Sequence, residues 1–289
     1  MTNFKLEPEN IVQVITGAKF AASAALVARQ AITIIPGRKG DIDGKYKTGT
    51  DVNDTTMLQR PGAPFSEVAA TSFAWQSFHL HQDARNFTMT DWEIFGDRDG
   101  EYRDTTLARV LLSMANKEDK IIMKGYYNVG GVAVSGATGY EAAAVNTHGA
   151  AATWITFGNP FTDVLTAVMK FGDKKLDVSP IGKKNIYVYC GLDRYVALSN
   201  LDGNGVSSLY HLTNDLGIPA ENILPSGNIT AGVAMVVYKH PDYAQMTIPE
   251  DMDVKEPWAL GPTTYRWEAR HIFGFKIMNT DSVYKITGV

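Results

Sequence analysis

Between Asp104 and Gly125 the chain carries the pattern of one long helix, and the rest of the sequence has to be arranged around that rod. Asp104 or Thr105 can cap its first turn, and Gly125 supplies the natural stop. Leu107, Val110, Leu111, Met114, Ala115, Ile121 and Ile122 recur on one side. Around them lie Arg109, Lys117, Glu118, Asp119 and Lys120, a charged run read as a solvated helix face with no chemistry of its own. The C-terminus adds a second constraint. Ile272, Phe273, Phe275 and Ile277, an Asn279-Thr280-Asp281 turn, then Val283, Tyr284 and Ile286 read as strands that close a sheet.

The remaining elements follow from periodicity. An apolar stripe of Ile11, Val14, Ile15, Ala18, Ala21, Ala22 and Ala25 predicts a helix over 8–31, weakened at Gly17 and ended by Gly37. Residues 36–66 hold almost no large apolar side chain and alternate Gly, Asp and Lys, so they should project from the body. Phe73 to Ala84 alternates well enough for a returning strand. A two-stranded polar projection is marginal alone in water, and becomes sensible if a neighbouring subunit supports it. From Gly125 to Gly158 the chain is rich in Gly, Ala, Val, Ser and Thr, which reads as a flexible surface or intersubunit loop. Asn159 and Pro160 open a helix over 162–171. A buried strand at 183–190, a short helix from Gly191, a helix over 209–216, a Gly217 turn and a strand at 229–238 complete the middle, and Pro241 breaks the alternation.

Composition excludes more than it identifies. At 289 residues the chain can bury a sizeable core, and a formal charge of -4 argues against a surface that grips nucleic acid throughout. No apolar run approaches the roughly 20 residues that span a bilayer, and the first residues lack a signal-peptide core, so a cytoplasmic origin is expected. Cys190, the lone cysteine, is read as a buried, inert thiol. His79 and His81 are two apart, a spacing that puts both on one face of a strand and makes them a candidate metal pair. The acidic stretch Asp91, Glu93, Asp97, Asp99, Glu101 and Asp104 lacks calcium-loop spacing. No phosphate loop, Gly-x-Ser-x-Gly elbow or His-Glu-x-x-His motif occurs, so no cofactor and no catalytic residue is assigned.

The ending Glu118-Asp119-Lys120-Ile121-Ile122…Gly125 is similar to the close of the spine helix in encapsulins and related capsid proteins. With the element order around it, the chain resembles the Hong Kong-97 (HK97) fold of tailed-virus capsids and encapsulin nanocompartments. That resemblance implies an α+β, HK97-like capsid fold with an N-terminal arm, an extended E-loop, a long spine helix in a peripheral domain, and an apical α/β domain. The implied divisions are 1–35 for the arm, 36–90 for the E-loop hairpin, 91–128 with 240–289 for the peripheral domain, and 129–239 for the apical domain.

What the resemblance implies for function is a major capsid protein rather than an enzyme. It would self-assemble into hexamers and pentamers of an icosahedral virion enclosing double-stranded DNA without sequence specificity. Scaffolding, portal and decoration proteins are the further partners, with no membrane involved and assembly in the host cytoplasm. Lys39, Lys45 and Lys47 fall in the stretch that matches the E-loop. The tryptophans, Trp75 and Trp267 among them, suit either interface anchoring or core packing. Arg266, Glu268 and Arg270 share one strand face, with Trp267 and Ala269 on the other. Lys39, Lys45, Lys47, Trp75, Arg266, Trp267, Glu268 and Arg270 are therefore the candidate assembly residues. An encapsulin shell around cargo protein and an α/β ligand-binding protein or enzyme are the two alternatives.

Overall fold

A computed structural model describes residues 19, 25–41, 43–49, 73–90, 101–125, 128–129, 132–133, 139–150, 152–155, 159–201, 205–261 and 263–289. The expected rod is present as α1, Glu101–Lys124, 24 residues and about 36 Å long at 1.5 Å per residue. It starts at Glu101, ahead of the expected Asp104. It stops where expected. Gly125 takes φ +79°, a conformation that costs glycine nothing, and its N–H reaches the Ile121 carbonyl at 2.7 Å.

The N-terminal half of α1 lies on a four-stranded sheet. In sheet order its strands are β1 (Thr33–Pro36), β11 (Ala244–Gly261), β12 (Thr264–Ile277) and β4 (His81–Thr90). Leu107, Leu111, Met114 and Ala115 pack there against Met89, Met252, Val254, Trp267 and Ala269, an apolar contact of helix stripe on sheet face. β11 is the element the sequence hides, because Pro249 and Pro257 interrupt its alternation. Both prolines fall at register shifts between β11 and β12, where a missing ladder donor is tolerated. Met252, at φ +49°, sits in a third shift of the same strand.

A second sheet has five strands, in the order β7 (Asn146–Gly149), β13 (Val283–Thr287), β10 (Val233–Tyr238), β8 (Ile186–Cys190) and β9 (Ile223–Pro225). Every residue of β10 is buried. Ala234, Val236 and Tyr238 face α3 (Pro160–Asp173) through Val164, Ala167, Val168 and Phe171, while Val233, Met235 and Val237 face a cluster that includes Ile121, Ile122 and Met123 of α1. The final strand β13 therefore crosses into the middle of this sheet, pairing antiparallel with β10 and parallel with β7. The expected cap of α3 is present, with the Asn159 side chain accepting the Thr162 N–H.

Two expectations are corrected. The 8–31 helix does not run to its predicted end: Lys19 is helical, but Ala28–Ala31 is a 3-10 turn and Thr33–Pro36 is strand β1. β-branched Thr33, Ile34 and Ile35 prefer the extended form, and the Ala28 and Ala31 amides bond to the side chains of Asp119 and Tyr189 in place of helix carbonyls. The rest of that helix lies outside the described residues. Nor is the glycine-rich stretch simply a surface loop. Within it β5 (Asn128–Val129) pairs antiparallel with β6 (Val132–Ala133), α2 (Tyr140–Ala143) and β7 are ordered, and Tyr140 is fully buried against Tyr189. Gly139 permits this by close approach, since a Cβ there would stand 2.2 Å from the Gly125 nitrogen.

Of the polar stretch and its returning strand, the two ends nearest the sheets are described. β2 (Asp43–Gly49) pairs antiparallel with β3 (Phe73–His79) as a separate two-stranded ribbon, and residues 50–72 lie outside the described residues. Phe78 roots the ribbon. Its ring fills the space over Gly44 and reaches Gly274 of β12.

Candidate functional site

The charged run near the end of α1 is not a solvated face. Glu118 is 0 % exposed and Asp119 is 2 % exposed. Burying adjacent carboxylates is unfavourable unless each is paired and hydrogen-bonded, and the fold brings distant segments to both. Arg29 donates to Glu118 through Nε at 2.8 Å and Nη2 at 2.5 Å, a two-point contact suited to the planar guanidinium. The same side chain donates to Asp251 of β11 at 2.8 and 3.1 Å. His271 of β12 donates from Nε2 to Glu118 at 2.6 Å. Burial alone would lower the Arg29 pKa, but the hydrogen bonds and charges of Glu118 and Asp251 raise it above its ordinary value. For Asp251, burial works upward and is outweighed by Arg29, so its pKa is lowered.

Asp119 is held differently. It accepts the Ala28 N–H at 2.6 Å, the Asn228 amide at 2.8 Å and the Ser226 hydroxyl at 3.2 Å. All three donors are neutral, and desolvation pushes its pKa up. One helical turn thus ties the 25–31 segment, the β11–β12 hairpin and the 226–228 loop together. The arrangement positions structural elements.

Three of the candidate assembly residues converge on one face of that hairpin. Lys39 Nζ lies 3.4 Å from Asp253 and 3.9 Å from Glu250. Glu250 lies 3.7 Å from Arg270 Nε, Arg270 donates to Glu268 at 2.7 Å, and Lys255 reaches Glu268 at 3.4 Å. Hydrogen bonding from Arg270 lowers the Glu268 pKa. The ladder holds three cations and three anions in alternation; Glu250 at its centre is buried, whereas the side chains of Lys39, Asp253 and Lys255 are exposed, so the outer pair of Lys39 and Asp253 adds little to folding. Arg266 sits apart near the hairpin tip, its guanidinium 5.7 Å above the half-exposed Trp258 ring. Trp267 belongs to the core of its own chain, 1 % exposed and stacked on Phe87 at 5.9 Å. Lys45 is exposed on β2, opposite Ser77; Lys47 and Trp75 are register partners across the ribbon.

His79 and His81 do not form a pair on one strand. Leu80 separates β3 from β4, so His79 joins Asp43 of the ribbon at 2.7 Å while His81 is opposite Phe273 in the four-stranded sheet. Burial, then the neighbouring His79, lowers the His81 pKa. Among the described residues no group of three or more His, Cys, Asp or Glu is arranged to hold a metal ion. Cys190 is buried, and burial pushes its thiol up to about 12, which leaves it un-ionised at neutral pH. The acidic segment lies mostly outside the described residues.

No protein-family profile matches the chain, and no curated protein matches it. Solved structures do. A virus-like particle from Pyrococcus furiosus aligns over 95% of this chain and 97% of its own, at 10% identity and a TM-score of 0.61. The capsid of Myoviridae phage XM1 aligns over 91% and 92%, at 13% identity and a TM-score of 0.61. A Mycobacterium phage Adephagia structure aligns over 90% and 89%, at 11% identity and a TM-score of 0.63. The fold is that of HK97-like capsid and encapsulin shells. Identities this low carry the fold alone, a mixed α/β architecture shared almost end to end.

Proposed function

We propose that the chain is a shell subunit, the major capsid protein of an HK97-type particle, which assembles with copies of itself into pentamers and hexamers of an icosahedral head around double-stranded DNA. The observation that carries this reading is coverage. The matched chains come from a virus-like particle and from phage capsids, and nothing large is left over on either side of the alignment. In this reading α1 is the spine helix, the β2–β3 ribbon is the base of the E-loop, and 1–35 is the N-terminal arm. Residues 91–128 with 240–289 form the peripheral domain and 129–239 the apical domain, with β13 crossing to the apical sheet. Scaffolding, portal and decoration proteins would be its further partners in the virion.

The Lys39–Glu250–Arg270–Glu268 ladder, Arg266 at the hairpin tip, and Lys45, Lys47 and Trp75 on the ribbon are the proposed intersubunit surface. Trp267 contributes by seating the strand that carries Arg266. A balanced ladder whose end side chains, Lys39, Asp253 and Lys255, are exposed gives a neighbour a fixed pattern of charge to match. A shell around protein rather than genome is the second reading, favoured by the broad match to a virus-like particle.

Electron microscopy of the purified protein across concentration and salt tests the proposal. Closed shells or rings of five and six are expected, with nuclease-protected DNA inside shells formed in the presence of genome. A monomer or dimer under every condition would overturn it. Protein cargo without nucleic acid would select the second reading.

A further inference from the structure

His271 occupies a seat built for both of its protonation states. Its ring is 0 % exposed and stacks on Phe273 at 4.8 Å between centroids. Nε2 faces Glu118, so that nitrogen carries a proton in either state. Nδ1 faces two backbone groups of the β11 bulge at nearly equal distance. The Met252 N–H lies at 3.3 Å and the Glu250 carbonyl oxygen at 3.1 Å. A neutral ring can accept the Met252 N–H, and a protonated ring can donate to the Glu250 carbonyl instead. It cannot do both.

We infer that His271 is a proton-operated latch, in which gaining a proton at Nδ1 exchanges the Met252 amide for the Glu250 carbonyl and so resets the bulge that carries Asp251. The charges around the ring favour such an exchange. From α1 comes Glu118, with Asp119 behind it; from the 3-10 turn comes Arg29. β11 supplies Asp251, 3.7 Å from Nδ1, and the Glu250 side chain, which is turned toward Lys39 and Arg270. Lys19 adds a longer-range positive charge near Asp251, and His81 lies beyond Phe273. The innermost set of Arg29, Glu118 and Asp251 carries one positive and two negative charges, so an imidazolium completes the balance. The mechanical output is local. Met252 holds a positive φ of 49° that a side chain seldom adopts, and Nδ1 receives its amide only while the ring is neutral. Asp251, one residue before, grips Arg29 and through it the 25–31 segment.

Hydrogen–deuterium exchange on the full chain between pH 5 and 8 tests this, with each rate divided by that of the same sequence unfolded. The expected result is a sigmoidal loss of protection at the Met252 amide on acidification. Losing one hydrogen bond should speed exchange by about threefold to tenfold. In Glu118→Gln, which removes the anion facing the ring, the step should move to lower pH. In His271→Gln the step should vanish. A flat wild-type profile, or a step left unmoved in Glu118→Gln, would overturn the latch. The wild type and Glu118→Gln decide the matter even where His271→Gln does not fold. The readout lies within one chain, so it gives the same answer for a shell or a free subunit.

Discussion

β10 and β12 are both inner strands of a sheet that packs under a helix, but they are sealed in opposite ways. All six residues of β10 are apolar and buried, with α3 on one face and the end of α1 on the other. β12 alternates. Trp267, Ala269, His271 and Phe273 turn inward, and Arg266, Glu268 and Arg270 stay half-buried on the outer face. The inward row itself includes an ionisable ring bonded to a buried carboxylate. Apolar burial is non-directional and indifferent to pH. Buried ionic contacts demand geometry and respond to protons. The five-stranded sheet should therefore behave as a rigid block, and the seam between α1 and the β11–β12 hairpin as the place where conditions alter the chain.

Glu118→Ala should have the largest effect on that contrast. It leaves His271 without its anion and Arg29 with Asp251 alone, and breaking a buried pair this way costs about 3–5 kcal/mol. Urea unfolding should show the loss, and it should vary with pH through the His271 imidazole alone, since Arg29 stays charged throughout. Phe171→Ala strikes the other region. A fully buried aromatic under the five-stranded sheet is replaced by a cavity, at about 3–5 kcal/mol. That loss should be the same at pH 5 and pH 8. Equal pH dependence in the two variants would erase the distinction between the regions.

These two positions also show what the sequence could and could not reveal. Phe171 lies in a helix opened by Asn159 and Pro160, and its burial follows from local periodicity. α1, its glycine stop and most of its apolar face were legible for the same reason. Glu118 was not, because its partners lie 89 and 153 residues away, and a local charge run looks solvated until the chain is folded. β11 was obscured by the prolines that its bulges tolerate, and β1 by the alanine stripe ahead of it. Of the candidate assembly residues, Lys39, Glu268 and Arg270 meet on one face, through Glu250, which no short-range pattern marks. Trp267 looks the same in sequence whether it anchors an interface or a core, since only its packing on Phe87 distinguishes them.

The two adjacent carboxylates sharpen the comparison further, because only one of them has cationic partners. The folded-state pKa of Asp119 is raised by desolvation above the ordinary value of about 3.9. Its contribution to stability is therefore full below that ordinary value and is lost as pH rises through the folded-state pKa. Asp119→Asn keeps an acceptor for the Ala28 N–H and cannot ionise. Stability measured in urea from pH 4 upward should then fall less steeply in Asp119→Asn than in the wild type. An unchanged slope would mean that Asp119 ionises in the fold without penalty.

The smallest effects fall where the two regions meet, at the stacked rings of Tyr140 and Tyr189. Both rings are fully buried, so they present the same apolar area and differ in their hydroxyls. Tyr189 Oη receives the Ala31 N–H at 3.2 Å and lies 3.4 Å from the Val27 and Ala28 carbonyls, which makes it part of the ties on the 25–31 segment. Tyr140 Oη has no hydrogen-bond partner among the described residues. Tyr189→Phe should therefore cost about 1–3 kcal/mol, since it leaves a buried amide unpaired. Tyr140→Phe removes a hydroxyl that is desolvated without return, and should leave stability unchanged or raise it by less than about 1 kcal/mol. Thermal unfolding of the two variants side by side separates a hydroxyl that ties segments together from one that merely occupies space. A loss in Tyr140→Phe as large as that in Tyr189→Phe would show that the polar ties extend past Tyr189 into the apolar side of the junction.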